Sequence, residues 1–355
     1  MSTAEPAEAP KSARERALAA VPIVLTVLAT ILAGLSSSEM TQSMYFRSLA
    51  AQQQAKAGSQ WAFFQAKRVR GTTMESSGDL VRALADPPPL DAGQLRAAAD
   101  RVEAAVRRAG SSPEVTAAAD RVKEAGRRLE QLLGAESARQ SLAFLTGPEL
   151  PAVAENHTHD GQLRSLVQAV AARQTEAQTA AQVATVPPER IEEALEQAEA
   201  NAAAFDEACK PATTALRQLE EAFAGIASEV RKLRRGLPSG SDNAALDEAS
   251  RVVRETRTGL RATKQDFTAR RYAKEAAYNQ ESAELFEILV RRNGVEADRH
   301  RVRSRNFFYA MLCAQAGVTV ASFALARTRK SWFWAVAGMA GVLAVSFGAY
   351  VYVAI

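Results

Sequence analysis

The sequence predicts an all-α protein: a membrane-anchored helical bundle, or coiled-coil stalk, with three transmembrane helices. Three observations carry that expectation. Three runs of the chain hold no charged side chain. The stretch between the first two runs is built from helix formers. The apolar residues of that stretch recur at heptad spacing.

The uncharged runs are Leu18 to Leu35, Phe307 to Ala326 and Trp332 to Ile355. A bilayer core of ~30 Å needs about 20 helical residues at ~1.5 Å each. The second and third runs meet that length and the first just does. The last two should form a hairpin across Arg327, Thr328, Arg329 and Lys330. The first run, with basic Lys11, Arg14 and Arg16 before it, also resembles a cleaved signal peptide. No A-x-A site closes it, and signal h-regions are typically only ~7–15 residues long, so an uncleaved anchor is the reading. The formal net charge of +4 is not extreme and excludes no partner class by itself.

About 270 residues separate the first two runs, rich in Ala, Glu, Gln, Arg and Leu. Pro and Gly punctuate them at Pro87–Pro89, Gly110–Pro113, Gly147–Pro148, Pro187–Pro188 and Gly236–Gly240. Ser112 before Pro113 and Glu114 is helix-start chemistry, and so is Pro188–Glu189; Ser241–Asp242 can cap the helix that follows. From Ile191 through Phe205, Cys209, Leu216, Phe223 and Val230 to Leu237 the apolar steps alternate four and three. That seam fits a coiled coil or an antiparallel bundle, and the short breakers favour the bundle. Pro211 lies inside it and should kink or break the helix. Leu246 to Phe267 repeats the spacing.

Few motifs suggest chemistry. Glu155, His157, His159 and Asp160 gather two imidazoles and two carboxylates. Zinc sites need three or four such ligands. This stretch reads as a loop, and His300 is the one other histidine, so a solvated loop without metal is expected. Cys209 and Cys313 should lie in different phases, which makes a disulfide implausible. No P-loop, H-E-x-x-H, G-x-S-x-G or C-x-x-C pattern occurs, so neither enzyme activity nor a cofactor is expected. Arg291, Arg292, Arg299, Arg301, Arg303 and Arg305 precede the second membrane run. They suit anionic lipid headgroups at about 1 kcal/mol each, or form an ordinary membrane-flanking cluster. Against a bilayer they leave no room for nucleic acid.

Small residues mark the membrane runs: Ala310, Ala314, Gly317, Ala321 and Ala324 in the second, Ala337, Gly341, Ala344 and Gly348 in the third. Both sets step by four and three and should face each other across the hairpin. Gln315, Thr319 and Ser322 form a polar stripe that Thr26 and Thr30 could meet. Outside the membrane, Trp61 lies 26 residues beyond Leu35, and Glu281 lies 26 before Phe307. If the helices are unbroken and antiparallel, both sit about 39 Å out. Trp61 and Phe64 should then pack against Tyr278, Leu285 or Phe286 as an aromatic layer. Lys67, Arg68 and Arg70 should reach the level of Asp266, Glu275 and Glu281.

Gln60-Trp61-Ala62-Phe63-Phe64-Gln65-Ala66-Lys67 resembles the Q-W-A-[FY]-[FY]-Q-A-K signature of an uncharacterised bacterial membrane family, domain-of-unknown-function family 4337. That family places an anchor helix shortly before the motif and a transmembrane hairpin at the C-terminus. The resemblance covers residues 15–80 and 265–355 and leaves about 85–260 as an insertion. It implies a bacterial membrane protein and transfers no catalytic residue.

The expected layout is a disordered tail at 1–16, membrane helix 17–36, juxtamembrane helix 37–85, inserted bundle 86–240, return helix 241–306 and membrane helices 307–326 and 331–355. The expected function is a scaffold presenting the bundle to a protein partner or a second copy. A sensor or signalling subunit with a ligand-binding bundle is the alternative, and a pore-forming oligomer the third reading. Three basic residues precede the first run against Arg47 alone after it, and three lie in the 327–330 loop. This charge pattern puts the N-terminus and that loop in the cytoplasm and the bundle outside an inner membrane, although the arginine run argues the other way.

Overall fold

The computed structural model describes residues 13–86, 92–110, 112–134, 136–153, 161–236, 244–326 and 332–354. Among them are nine helices and no strand: α1 (Ala13–Ala85), α2 (Ala92–Arg108), α3 (Pro113–Gly134), α4 (Glu136–Thr146), α5 (Gly161–Ala171), α6 (Glu176–Thr185), α7 (Pro188–Gly236), α8 (Ala244–Ala326) and α9 (Phe333–Ala354). The fold is an all-α helical bundle, and α1, α8 and α9 are long and apolar enough to cross a membrane. The helix begins at Ala13, four residues ahead of the expected membrane segment. The histidine pair His157 and His159, the hairpin loop 327–330 and the Ser241–Asp242 cap lie outside the described residues.

The chain divides into two compact units. A membrane unit contains Met1–Ala55, Gln168–Pro188 and Glu287–Ile355, and a bundle unit contains Lys56–Val167 and Glu189–Phe286. Residues 168–188, inside the expected insertion, therefore group with the membrane segments.

In the bundle unit the heptad seam of α7 becomes its buried face. Ile191, Phe205, Cys209, Leu216, Phe223, Ile226 and Val230 are all buried. All but Ile191 share a core with Leu95, Val102 and Val106 of α2, Val122 and Leu129 of α3, and Leu246, Val253 and Leu260 of α8. Each large side chain taken out of water contributes about 1.5–3 kcal/mol, and that burial outweighs the weak propensity of the short helices. Ser112 begins α3 as expected: its Oγ accepts the N–H of Val115 at 3.3 Å.

α4 ends at Thr146, just before the expected Gly147–Pro148 break, but the residue that caps it was not legible. Arg270 of α8 donates to the carbonyls of Phe144 at 3.3 Å and Leu145 at 3.1 Å, and to Gly147. These are among the carbonyls that a helix C-terminus leaves unpaired, and the cation also meets the negative end of the helix dipole. Burial lowers the Arg270 pKa from its ordinary value, so the cap is held partly out of water.

The expected break at Pro211 does not occur. α7 runs unbroken through it from Pro188 to Gly236. Proline removes one i→i−4 bond, but buried Phe205, Cys209, Ala212 and Leu216 hold the turns on either side. Pro211 itself is exposed, so its ring points away from that core. Pro211→Ala should therefore raise the melting temperature of the purified chain, by the equivalent of up to ~3 kcal/mol. Phe223→Ala should lower it, at a cost of about 3–5 kcal/mol.

Cys209 sits fully buried in the same seam, and burial pushes its thiol up to about 11. The unfolded thiol ionises at ~8.5. The folded group keeps its proton above that value, so its contribution is complete below about 8.5 and is lost as pH rises towards 11. A thiol reagent at pH 8 should leave Cys209 unlabelled in the folded chain and label it on unfolding. A Cys209→Ala variant should lose that part of the alkaline stability decline.

Candidate functional site

The membrane unit is where the chain's most specific arrangements lie. Leu25, Ala29 and Leu32 of α1, Ala310, Ala314, Gly317, Ala321 and Ala324 of α8, and Ala337, Ala344 and Gly348 of α9 are buried, with Gly341 partly so. Ile23, Val27, Ile31, Phe323, Met339 and Val342 point outward, where lipid would lie. Two apolar phases give no hydrophobic drive for helix association, so close packing must supply it.

The glycines make that packing possible, though not as the two-stripe expectation has it. A Cβ at Gly341 would lie 2.9 Å from Leu25 Cδ2, and one at Gly348 would lie 3.1 Å from Leu32 Cδ2. Those two glycines are notches for leucines of α1. Gly317 alone meets both neighbours, with Leu25 Cδ1 at 3.1 Å, Ala340 Cβ at 3.3 Å and the Ala337 carbonyl at 3.4 Å. The small stripes are thus shared by three helices; the hairpin count omitted the first one.

The polar stripe is used differently as well. Thr26 and Thr30 donate to the Pro22 and Thr26 carbonyls, and Thr319 and Ser322 to the Gln315 and Val318 carbonyls. Each hydroxyl is satisfied inside its own helix, four residues back, and all four side chains are exposed. No bond between helices is needed to keep them in an apolar phase.

Just outside the apolar stretch, α1 and α8 are joined by a polar seam. Ser36 Oγ donates to the Ser304 carbonyl at 2.9 Å, and Ser304 Oγ returns a bond to the Ser36 carbonyl at 2.8 Å. Ser43 Oγ donates to the Ala297 carbonyl at 2.8 Å. His300 Nδ1 lies 2.5 Å from Glu39 Oε2, and the Phe46 ring stacks on the imidazole with centroids 5.4 Å apart. Asn293 Nδ2 donates to Gln53 Oε1 at 2.6 Å. Residues 36, 39, 43, 46 and 53 keep the heptad period, as do 293, 297, 300 and 304. That period was the available signal. It was missed because a search for apolar repeats passes over serine, glutamate and histidine.

The arginine run splits. Arg291 Nη1 donates to Thr179 Oγ1 at 2.9 Å, and Arg292 donates to the Val186 carbonyl, so both hold α6 and the residue that ends it. They lie 16 and 15 residues before Phe307, about 24 Å of helix, too far to reach headgroups beside that residue. Arg299, Arg301 and Arg305 are exposed, whereas Arg303 keeps a buried Nε with no hydrogen-bond partner.

In the bundle unit the residues of the expected aromatic layer are half-buried or buried. Trp61 and Phe64 pack edge to face at 5.5 Å, both half-buried. Tyr278 meets Phe205 of α7 at 5.7 Å, Leu285 is fully buried, and Lys56 Nζ lies 5.7 Å from the Phe286 ring centroid. α7 thus supplies a partner that the two-helix count did not include. The register itself is as counted: Lys67 pairs with Glu275, and a Cβ at Gly71 would lie 3.5 Å from the Ala269 carbonyl. Glu275 also accepts from Arg271 Nε at 2.6 Å, and Arg271 reaches Asp206 at 2.5 Å. Among the described residues no group of three His, Cys, Asp or Glu side chains is placed to hold a metal ion.

A helix apolar enough to cross a membrane, followed on the same helix by the tryptophan motif, is the arrangement that the resemblance implies. Residues 14–141 match the family model described as Domain of unknown function (DUF4337). The match takes in α1 with its QWAFFQAK motif, α2, α3 and the start of α4. It runs past residue 85 into the stretch read as an insertion and stops short of α8 and α9. No curated protein and no solved structure matches the chain.

Gly317→Val should loosen the three-helix packing, because its neighbours include backbone and an alanine that cannot rotate away. Gly341→Ala meets only the end of a leucine, so its effect should be small and relieved by Leu25→Ala. Melting temperatures in detergent should rank the wild type and Gly341→Ala well above Gly317→Val.

Proposed function

We propose that the protein is a membrane-anchored scaffold that presents a helical bundle to other proteins or to a second copy of itself. The observation that carries this reading is the continuity of α1 and α8. Each is one unbroken helix holding a stretch apolar enough to cross a membrane and a long polar stretch. Anchor and bundle are therefore made of the same helices. Phe63, Val69, Leu80 and Leu84 of α1 remain exposed and give a protein partner apolar surface to cover. Arg301 and Arg305 are exposed and can meet anionic lipid, and no nucleic acid or catalytic role is assigned. The bacterial inner membrane, with the bundle on its non-cytoplasmic side, is the setting that the charge pattern favours.

Photo-crosslinking residues placed at 80 and 84 in cells should trap a protein or a second copy. Adducts to lipid alone, or none, would remove the scaffold reading. A reporter active only in the cytoplasm should stay silent when fused after residue 150, and activity there would reverse the sidedness.

A further inference from the structure

In the bundle unit, α7 and α8 flank a cavity of about 1140 Å³ that is open to solvent, with Met74 of α1 at its edge. Its wall carries six basic side chains against two acidic ones, Glu220 and Glu221. Two of the six are engaged: Lys264 with Glu220 at 2.9 Å, and Arg234 with Asp247 at 3.1 Å. A third, Arg231, turns its Nε to the Ala227 carbonyl at 3.2 Å. Arg254, Arg257 and Arg261 form no ion pair among the described residues. Elsewhere on the unit arginines find carboxylates, as Arg108 does with Glu248, Arg121 with Glu229 and Arg82 with Asp266.

The three free arginines stand at i, i+3 and i+7 on α8, on one face and about 10 Å from first to last along the axis. Like charges at these spacings repel, so the helix itself gains nothing from them. That spread is wider than one phosphate and suits a chain of them, for which the guanidinium fork is well matched. Beside them the wall offers the half-buried Tyr272 side chain, a surface on which a ring could rest.

We propose that this cavity binds a small polyphosphorylated organic anion, of which a nucleotide is the simplest case. Arg254, Arg257 and Arg261 hold the phosphates. The inference is independent of the scaffold reading, because the trapping positions 80 and 84 do not line this cavity.

Calorimetry on the full chain in detergent, with ATP, pyrophosphate and adenosine as probes, tests it. ATP should bind saturably at one site, pyrophosphate more weakly, and adenosine not measurably. Arg257→Gln with Arg261→Gln should weaken ATP roughly tenfold or more, through loss of charge-assisted bonds. Arg128→Gln, outside the cavity, should change neither. Absence of saturation by about 1 mM ATP, or equal weakening by Arg128→Gln, overturns the proposal. So does displacement of ATP by an acidic peptide with higher affinity, which would make the occupant a protein.

Discussion

The antiparallel register of α1 against α8 is the constraint on which the other contacts depend. In the membrane unit it is written in hydrogen bonds, with Ser36 opposite Ser304 and Ser43 opposite Ala297. In the bundle unit it is written in close approach and charge, with Gly71 against Ala269 and Lys67 against Glu275. Buried polar contacts of this kind add modest net stability each. Their larger effect is on specificity. A slipped pairing would strand Ser43, Ser304 and Asn293, all buried, without partners, and that loss is steep.

Other elements take their places from this pairing. Arg291 and Arg292 can hold α6 because α8 runs unbroken through both positions. Arg270 can end α4, and Arg271 can reach Asp206 on α7, for the same reason. In each case a long helix supplies a cation to the weakly held end or face of another one. This division of labour lets helices as short as α4 and α6 persist, which their length alone would leave marginal.

How much of this could be read in the sequence depends on which force set each feature. The α7 seam was legible, because apolar residues at heptad spacing must be buried together. The start of α3 at Ser112–Pro113 was legible, because cap chemistry is local. The burial of Ala310, Ala314 and Ala344 follows from size alone. The continuity of α7 through Pro211 was not legible, because tertiary contacts outweigh a local preference. The partner of Tyr278 was not legible either: Phe205 lies 73 positions away, and nothing local announces it. The polar seam sat between these cases, with a regular period carried by residues that hydropathy does not count. Of the cavity, the Arg254–Arg257–Arg261 spacing was visible, but whether a carboxylate would pair with these arginines depended on which helix came opposite.

The two leucine notches limit how the membrane helices can move. α9 runs parallel to α1, since Leu25 meets Gly341 and Leu32 meets Gly348. Leucines and glycines are both seven residues apart, so the fit repeats only after seven residues, about 10.5 Å of helix. A slide of one turn would drive a leucine towards the side chain of Ala344 or Val345 instead of a gap. A slide of the full repeat, in the inward direction, would carry Glu39 into hydrocarbon. Sliding α1 along α9 would therefore disturb the packing at both leucines at once. The notches act as a detent against piston motion.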